Sequence, residues 1–209
     1  MSGDGRARKP EDAAHELLLR LAGRLSDRHL WRCRDWLAGG AIDVLARSLP
    51  LTLLRERVGI TAQESLLVNA AFLQAGADAG RLSALPWVDE IADLDYTFTS
   101  ESPDRVNLGD SVAVVLGATL RGRPEVKSAR TSWRHGRYGD GRTEPVRVVL
   151  VTATHGYRKL TGEMQRVLRA LGQHEPSVEV LPEGMAPPPY QEAALAESTP
   201  LMPELAGVS

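Results

Sequence analysis

Val146-Arg147-Val148-Val149-Leu150-Val151 is a run of β-branched and apolar residues of the kind a buried strand needs. A polar turn, Thr152-Ala153-Thr154-His155-Gly156, follows it. Then Leu160, Met164, Val167, Leu168 and Leu171 recur at helical spacing and give one apolar face. Gly172 stops that helix, and Ser177-Val178-Glu179-Val180-Leu181 reads as a second strand. The spacing therefore predicts a strand–helix–strand unit, with Met164 and Leu168 packed against a sheet.

Upstream the pattern is helical. Residues 1–10 read as a disordered lead-in. Ala14, Leu17, Leu18 and Leu21 predict a first amphipathic helix, and Ser26 or Asp27 caps a second that carries Leu30, Cys33 and Leu37 and stops at Gly39-Gly40. A third begins at Ala41, with a break or kink expected at Pro50. Thr61 and Glu64 form a capping-box signal for a fourth. Beyond residue 95, Tyr96 to Thr99 reads as an edge strand. Ser111 to Leu120 reads as a Val-rich strand with a bulge at Gly117, and Ser128 to His135 as another strand. Gly136 to Arg142 reads as a turn. The end is rich in proline, including Pro187-Pro188-Pro189, and is expected to be extended apart from one short helix over 191–197. The fold class is α+β: a helical domain over 11–95, a small mixed sheet with a packed helix over 96–181, and a Pro-rich acidic tail over 182–209.

The 209 residues suffice for a sizeable core, and 43% hydrophobic and 25% charged residues are ordinary globular values. A net charge of -2 gives no global field toward nucleic acid or membrane. The single cysteine, Cys33, excludes an internal disulfide framework and fits a reducing, cytoplasmic setting. Met1 to Asp12 lacks the apolar segment of a secretory signal, and no apolar run is long enough to span a bilayer. Lysine occurs only at Lys9, Lys127 and Lys159, an arginine bias that suggests a GC-rich bacterial genome. No Lys or Arg follows Arg169, so the end of the chain is wholly acidic.

His29 and Cys33 stand four apart on a helix, but zinc needs three or four ligands, and Cys33 lies on the apolar stripe. Neither metal nor cofactor is called for. Phosphate-loop, nucleophile-elbow and zinc-protease motifs are absent, and no catalytic residue is nominated. The turn over 152–157 can present amides to an anion, though Thr154 as a helix cap explains it as well. The helices from Ala41 and Thr61 carry too few basic residues for a DNA-recognition helix.

Two arginine-rich regions stand out. Trp31 and Trp36 lie on one helix among Arg24, Arg28, Arg32 and Arg34, and Trp31 with Arg32 is a candidate interaction patch. The stretch 121–147 holds eight basic residues with aromatics among them. Its candidates for an interaction or anion surface are Arg130, Trp133, Arg134, Arg137 and Tyr138. The acidic tail is expected to cover part of this stretch.

The C-terminal part resembles uncharacterised proteins of high-GC actinobacteria. The resemblance lies in Val146 to Val151, Leu160 to Leu171, Ser177-Val178-Glu179-Val180 and Pro188-Pro189-Tyr190-Gln191-Glu192-Ala193-Ala194-Leu195. It covers about a quarter of the chain and implies a bacterial source without implying an activity. The leading expectation is a non-enzymatic cytoplasmic interaction or regulatory protein whose partner is another protein. The alternatives are a nucleic-acid-binding accessory using 121–147, and an enzyme with a site around 152–157. No membrane partner is expected.

Overall fold

The computed structural model describes residues 9–91, 96–103, 110–136 and 144–201. Five helices come first: α1 (Pro10–Arg20), α2 (Asp27–Ala38), α3 (Ile42–Glu56), α4 (Ala62–Phe72) and α5 (Ala79–Ser83). Strand β1 (Tyr96–Thr99) and helix α6 (Ser111–Leu120) lead into β2 (Val126–Gly136) and β3 (Val146–Ala153). Helix α7 (Tyr157–Ala170), β4 (Ser177–Pro182), α8 (Pro189–Ala196) and β5 (Thr199–Pro200) follow.

The strand–helix–strand unit forms as the periodicity predicts. β3 and β4 are parallel, with Val148 opposite Ser177 and Leu150 opposite Glu179, and α7 makes the crossover. The path β1-β2-β3-β4 is otherwise antiparallel, and β5 joins the outer edge of β2 beside β1. Side chains alternate across β3. Val148 and Leu150 join the apolar cluster built by α1 to α5 and α8, whereas Val149, Val151 and Ala153 join that of α6 and α7 with Met164 and Leu168. Burial on both faces is why the β3 run is nearly continuous in apolar residues.

Four expectations need correction. Ser111 to Leu120 is a helix, not a strand. Asp110 caps it by accepting from the Ala113 amide at 2.9 Å, and Leu116 and Leu120, four apart, are buried on one side. Burial of that face outweighs the β preference of its valines. Helix α3 runs through Pro50 without ending, because Leu45, Ala46, Leu49 and Leu53 line one buried face across the proline. Up to residue 201 the tail is docked on the rest of the chain rather than running free, through α8 and the pairing of β5 with β2. The short helix expected there is α8, with Pro189 in its first turn, where a missing N–H leaves nothing unsatisfied, and with Tyr190 and Ala194 in the core. Thr154 does not cap α7: Gly156 is the cap, at φ 71, and makes no side-chain cap bond. The capping box of Thr61 and Glu64 is present. The lead-in up to residue 8 and the turn over 137–142 lie outside the described residues.

One of the two apolar clusters crosses residue 95, while the other lies wholly beyond it. Phe98, Val148, Leu150, Tyr190 and Ala194 belong to the same apolar cluster as Leu17, Leu30, Leu45 and Phe72.

Buried polar side chains lock the helices onto the sheet. Glu179 has no exposed surface, and it receives Arg34 Nη1 and Nη2 at 2.7 and 2.6 Å and Gln191 Nε2 at 2.7 Å. Arg34 Nη1 also donates to the Val178 carbonyl at 2.8 Å, and His15 Nε2 donates to the Val180 carbonyl at 2.8 Å. These two side chains close the outer edge of β4, which would otherwise present a row of free carbonyls. Burial, aided by the charges of Arg34 and Arg158 and opposed by the Val180 bond, lowers the His15 pKa to about 4, so the imidazole is neutral.

Arg34→Met leaves Glu179 buried without its counter-charge, and chemical denaturation is expected to show a loss of about 3–5 kcal/mol. Replacing Arg34 and Glu179 together by methionine should cost less than Arg34→Met alone.

Because the His15 pKa falls from 6.5 unfolded to about 4 folded, the unfolded chain binds the extra proton between those values. Its contribution, on the order of 3 kcal/mol, is full above pH 6.5 and is lost as pH falls toward 4. His15→Gln, which keeps a donor but no titration, should flatten stability against pH across that window.

Residues 1–95 expressed alone lack Phe98, Val148, Leu150 and Tyr190, which complete their core. Calorimetry of this fragment should show no cooperative transition; a sharp two-state melt would show that the helices close a core unaided.

Candidate interaction surface

Of the basic residues described over 121–147, Arg134 and Arg147 are buried, Arg123 and Arg130 are half-buried, and Arg121 and Lys127 are exposed. Arg134 is buried, forks onto both Asp27 carboxylate oxygens, donates Nη1 to the Tyr190 hydroxyl at 2.9 Å and lies 4.7 Å from the centre of the Tyr96 ring. Trp133 is also buried, with the Arg147 guanidinium 4.4 Å from its ring centre and Arg147 paired to Asp110 at 2.7 Å. Arg130 donates to the Ser198 hydroxyl and carbonyl at 2.7 and 2.8 Å. The tail thus meets the stretch through Ser198 and the pairing of β5, while Glu192 and Glu197 remain exposed. Arg123 pairs with Glu163 at 2.7 Å. Arg137 and Tyr138 lie outside the described residues.

A cleft of about 210 Å³ opens beside this cluster, lined by Ser26, Asp27, Tyr96, Arg134, Gly136, Glu144 and Val146. Its buried cation is already neutralised by Asp27. Next to it stand Ser26, His29 and Glu56, a set whose residue types suggest a proton relay but whose geometry does not. A relay needs the hydroxyl and the acid on opposite ring nitrogens. Here His29 Nδ1 meets both Ser26 Oγ, at 3.0 Å, and Glu56 Oε1, and Ser26 Oγ donates directly to Glu56 at 2.8 Å. Burial works against the Glu56 charge, but the Ser26 amide and hydroxyl and His29 outweigh it and hold the carboxyl below its ordinary range. The cluster ties the start of α2 to the end of α3.

Around 152–157 the polar groups satisfy one another. The Thr154 amide donates to the Glu125 carbonyl at 2.8 Å, Thr154 Oγ1 meets His155 Nδ1 at 2.8 Å, and the Tyr157 hydroxyl donates to the Thr154 carbonyl at 2.7 Å. Cys33 is a buried thiol that burial pushes up to about 12. Among the described residues, no group of three or more His, Cys, Asp or Glu is placed to hold a metal ion, and no helix is long and apolar enough to cross a membrane.

The Trp31 region is different. Helices α2 and α7 run antiparallel in close contact. A Cβ added to Gly162 would stand 2.5 Å from the Ala38 Cβ, and Gln165 Nε2 donates to the Trp31 carbonyl at 3.3 Å. At the other end of this seam the half-buried Trp31 lies beneath Arg169, whose guanidinium carbon is 4.5 Å from the ring centre; that of Arg32 is 5.9 Å away. Arg28, Arg32, Arg166 and Arg169 are all exposed. Of the arginines near Trp31 in sequence, Arg24 and Arg34 turn inward to Glu64 and Glu179. Trp36 packs against the helical core. The sequence pointed to Trp31, Arg28 and Arg32 but missed Arg166 and Arg169. Both lie off the apolar stripe of α7; the packing of α7 on α2 brings Arg169 over Trp31 and leaves Arg166 beside Gly162.

No protein-family model, curated protein or solved structure matches the chain.

Proposed function

We propose that the protein is a non-enzymatic, cytoplasmic interaction protein that binds another protein through the α2–α7 surface centred on Trp31. One observation carries this reading: two exposed arginines, Arg32 and Arg169, lie over a half-buried tryptophan on two packed helices, with exposed Arg28 and Arg166 further along the same helices, and none of the four has an ion pair among the described residues. The arginines nearer the core behave otherwise, since Arg24, Arg34, Arg134 and Arg147 are each matched to a carboxylate. Tryptophan and arginine are the side chains that most often anchor protein interfaces, and they bind best on a preformed surface. The stretch 121–147 offers nucleic acid less, because Arg130, Arg134 and Arg147 already have internal partners.

The test is affinity capture from the lysate of a high-GC actinobacterium, with the wild-type chain, the Arg28→Glu/Arg32→Glu variant and a Lys127→Glu control. A partner retained by wild type and control and lost by the double variant, with unchanged thermal melts, is the expected result. Identical retention by all three proteins would remove the function from this surface.

A further inference from the structure

We infer that the Trp31 surface receives an acidic polypeptide segment, whose carboxylates meet Arg32 and Arg169 across the indole while Arg28 and Arg166 extend the contact along the helix seam; this rests on the interaction reading above.

The first ground is charge. The guanidinium carbons of Arg169 and Arg32 stand 4.5 and 5.9 Å from one ring centre, which brings the two cations within about a Debye length of each other. None of the four arginines makes an ion pair or hydrogen bond among the described residues. The carboxylates on the same two helices offset only part of this charge. Asp27 is held by Arg134 and Glu163 by Arg123, and Asp35 forms no ion pair with any of the four. A local excess of positive charge on a fixed surface attracts and orients an anionic partner.

The second ground is the chemistry of recognition. All four cations are arginine, whose planar fork matches a carboxylate with two parallel hydrogen bonds. Arg28 and Arg32, four apart on α2, have Cβ atoms about 6 Å apart, and packed helices lie about 8–10 Å apart. A run of acidic side chains on a helix or extended segment has carboxylates at these intervals.

The third ground is the state of Trp31. Single-stranded nucleic acid binds by laying bases on open aromatic faces. Trp31 is half-buried in the seam and engaged by guanidinium groups. A membrane-surface helix needs a broad apolar face beside its cations, whereas the outer side of α2 presents Arg28, Arg32 and Asp35 around this one ring. An acidic polypeptide needs neither an open ring nor an apolar face.

The experiment titrates the full chain, by calorimetry and at low salt, with a glutamate-rich peptide, a single-stranded oligonucleotide of matched charge and phosphatidylglycerol vesicles. The expected result is binding of the peptide in preference to the other two, weakened by added salt and by about tenfold or more in Arg32→Glu/Arg169→Glu. Arg32→Lys/Arg169→Lys keeps the charge and loses the fork, and should lose part of that affinity. Failure to bind the peptide, equal binding by the Glu variant, or tighter patch-dependent binding of the oligonucleotide or the vesicles overturns the inference. A protein captured through Arg28 and Arg32 that lacks an acidic segment also overturns it, while leaving the interaction reading intact. If the Arg28→Glu/Arg32→Glu variant captures the same proteins as wild type, both fall.

Discussion

A carboxylate with no exposed surface is tolerated only where its charge and lone pairs are matched, and Glu179 sets this condition for the whole molecule. Its partners come from two other elements, which are themselves tied to a third. Arg34 arrives from α2 and Gln191 from α8, and both also donate to α1, at the Leu18 carbonyl (3.3 Å) and the Leu19 carbonyl (2.9 Å). Apolar packing between helices and sheet tolerates small slides, but this network does not, because a shift strips a buried ion of its partner. The ion pair therefore contributes to which arrangement is adopted more than to how stable it is.

A second pair acts at the other end of the same helix. Asp27 and Arg34 are seven residues apart, so both point from one side of α2. Asp27 holds Arg134 in β2, and Arg34 holds Glu179 in β4. Leu30, Cys33 and Leu37 fill that inward side. With α2 pinned at both ends, its outward residues are fixed too: Arg28 and Arg32 face solvent, and Trp31 lies toward α7. The close approach of Gly162 to Ala38 then sets where Arg169 stands over the indole. The surface is thus positioned by contacts made on the far side of the helix.

This dependence explains what was legible in the sequence. The strand–helix–strand unit was readable because period, turn residues and stop signals agreed. Helix α6 was misread because valine content was weighed above spacing; Leu116 and Leu120 at i and i+4, and Asp110 ahead of them, were the better signals. The basic stretch misled for another reason. Arg130, Ser132 and Arg134 alternate with Thr131 and Trp133 across β2, so composition could not tell which side would be covered. What covers Arg134 is Asp27, 107 positions away, a pairing that no local pattern records. Around Trp31 the Trp–Arg clustering was visible, but Arg24 and Arg34 turn inward, and Arg166 and Arg169 join through tertiary packing alone.

Arginine therefore does two kinds of work in this chain, and the fold accounts for only one. Arg24, Arg34 and Arg134 each answer a buried carboxylate, and their positions follow from the core. The four on the α2–α7 surface meet no carboxylate among the described residues, and Arg32 and Arg169 lie over the Trp31 ring instead. Helix electrostatics explain part of them, since Arg169 lies in the last turn of α7, where a cation is favoured by about 0.3–1 kcal/mol. Arg28 lies in the first turn of α2, where the same field opposes it. An exposed cation kept against its own helix dipole and without an ion pair among the described residues gains no folding free energy from that field. What it adds is field and hydrogen-bond donors at the surface, which act only when an anionic group arrives.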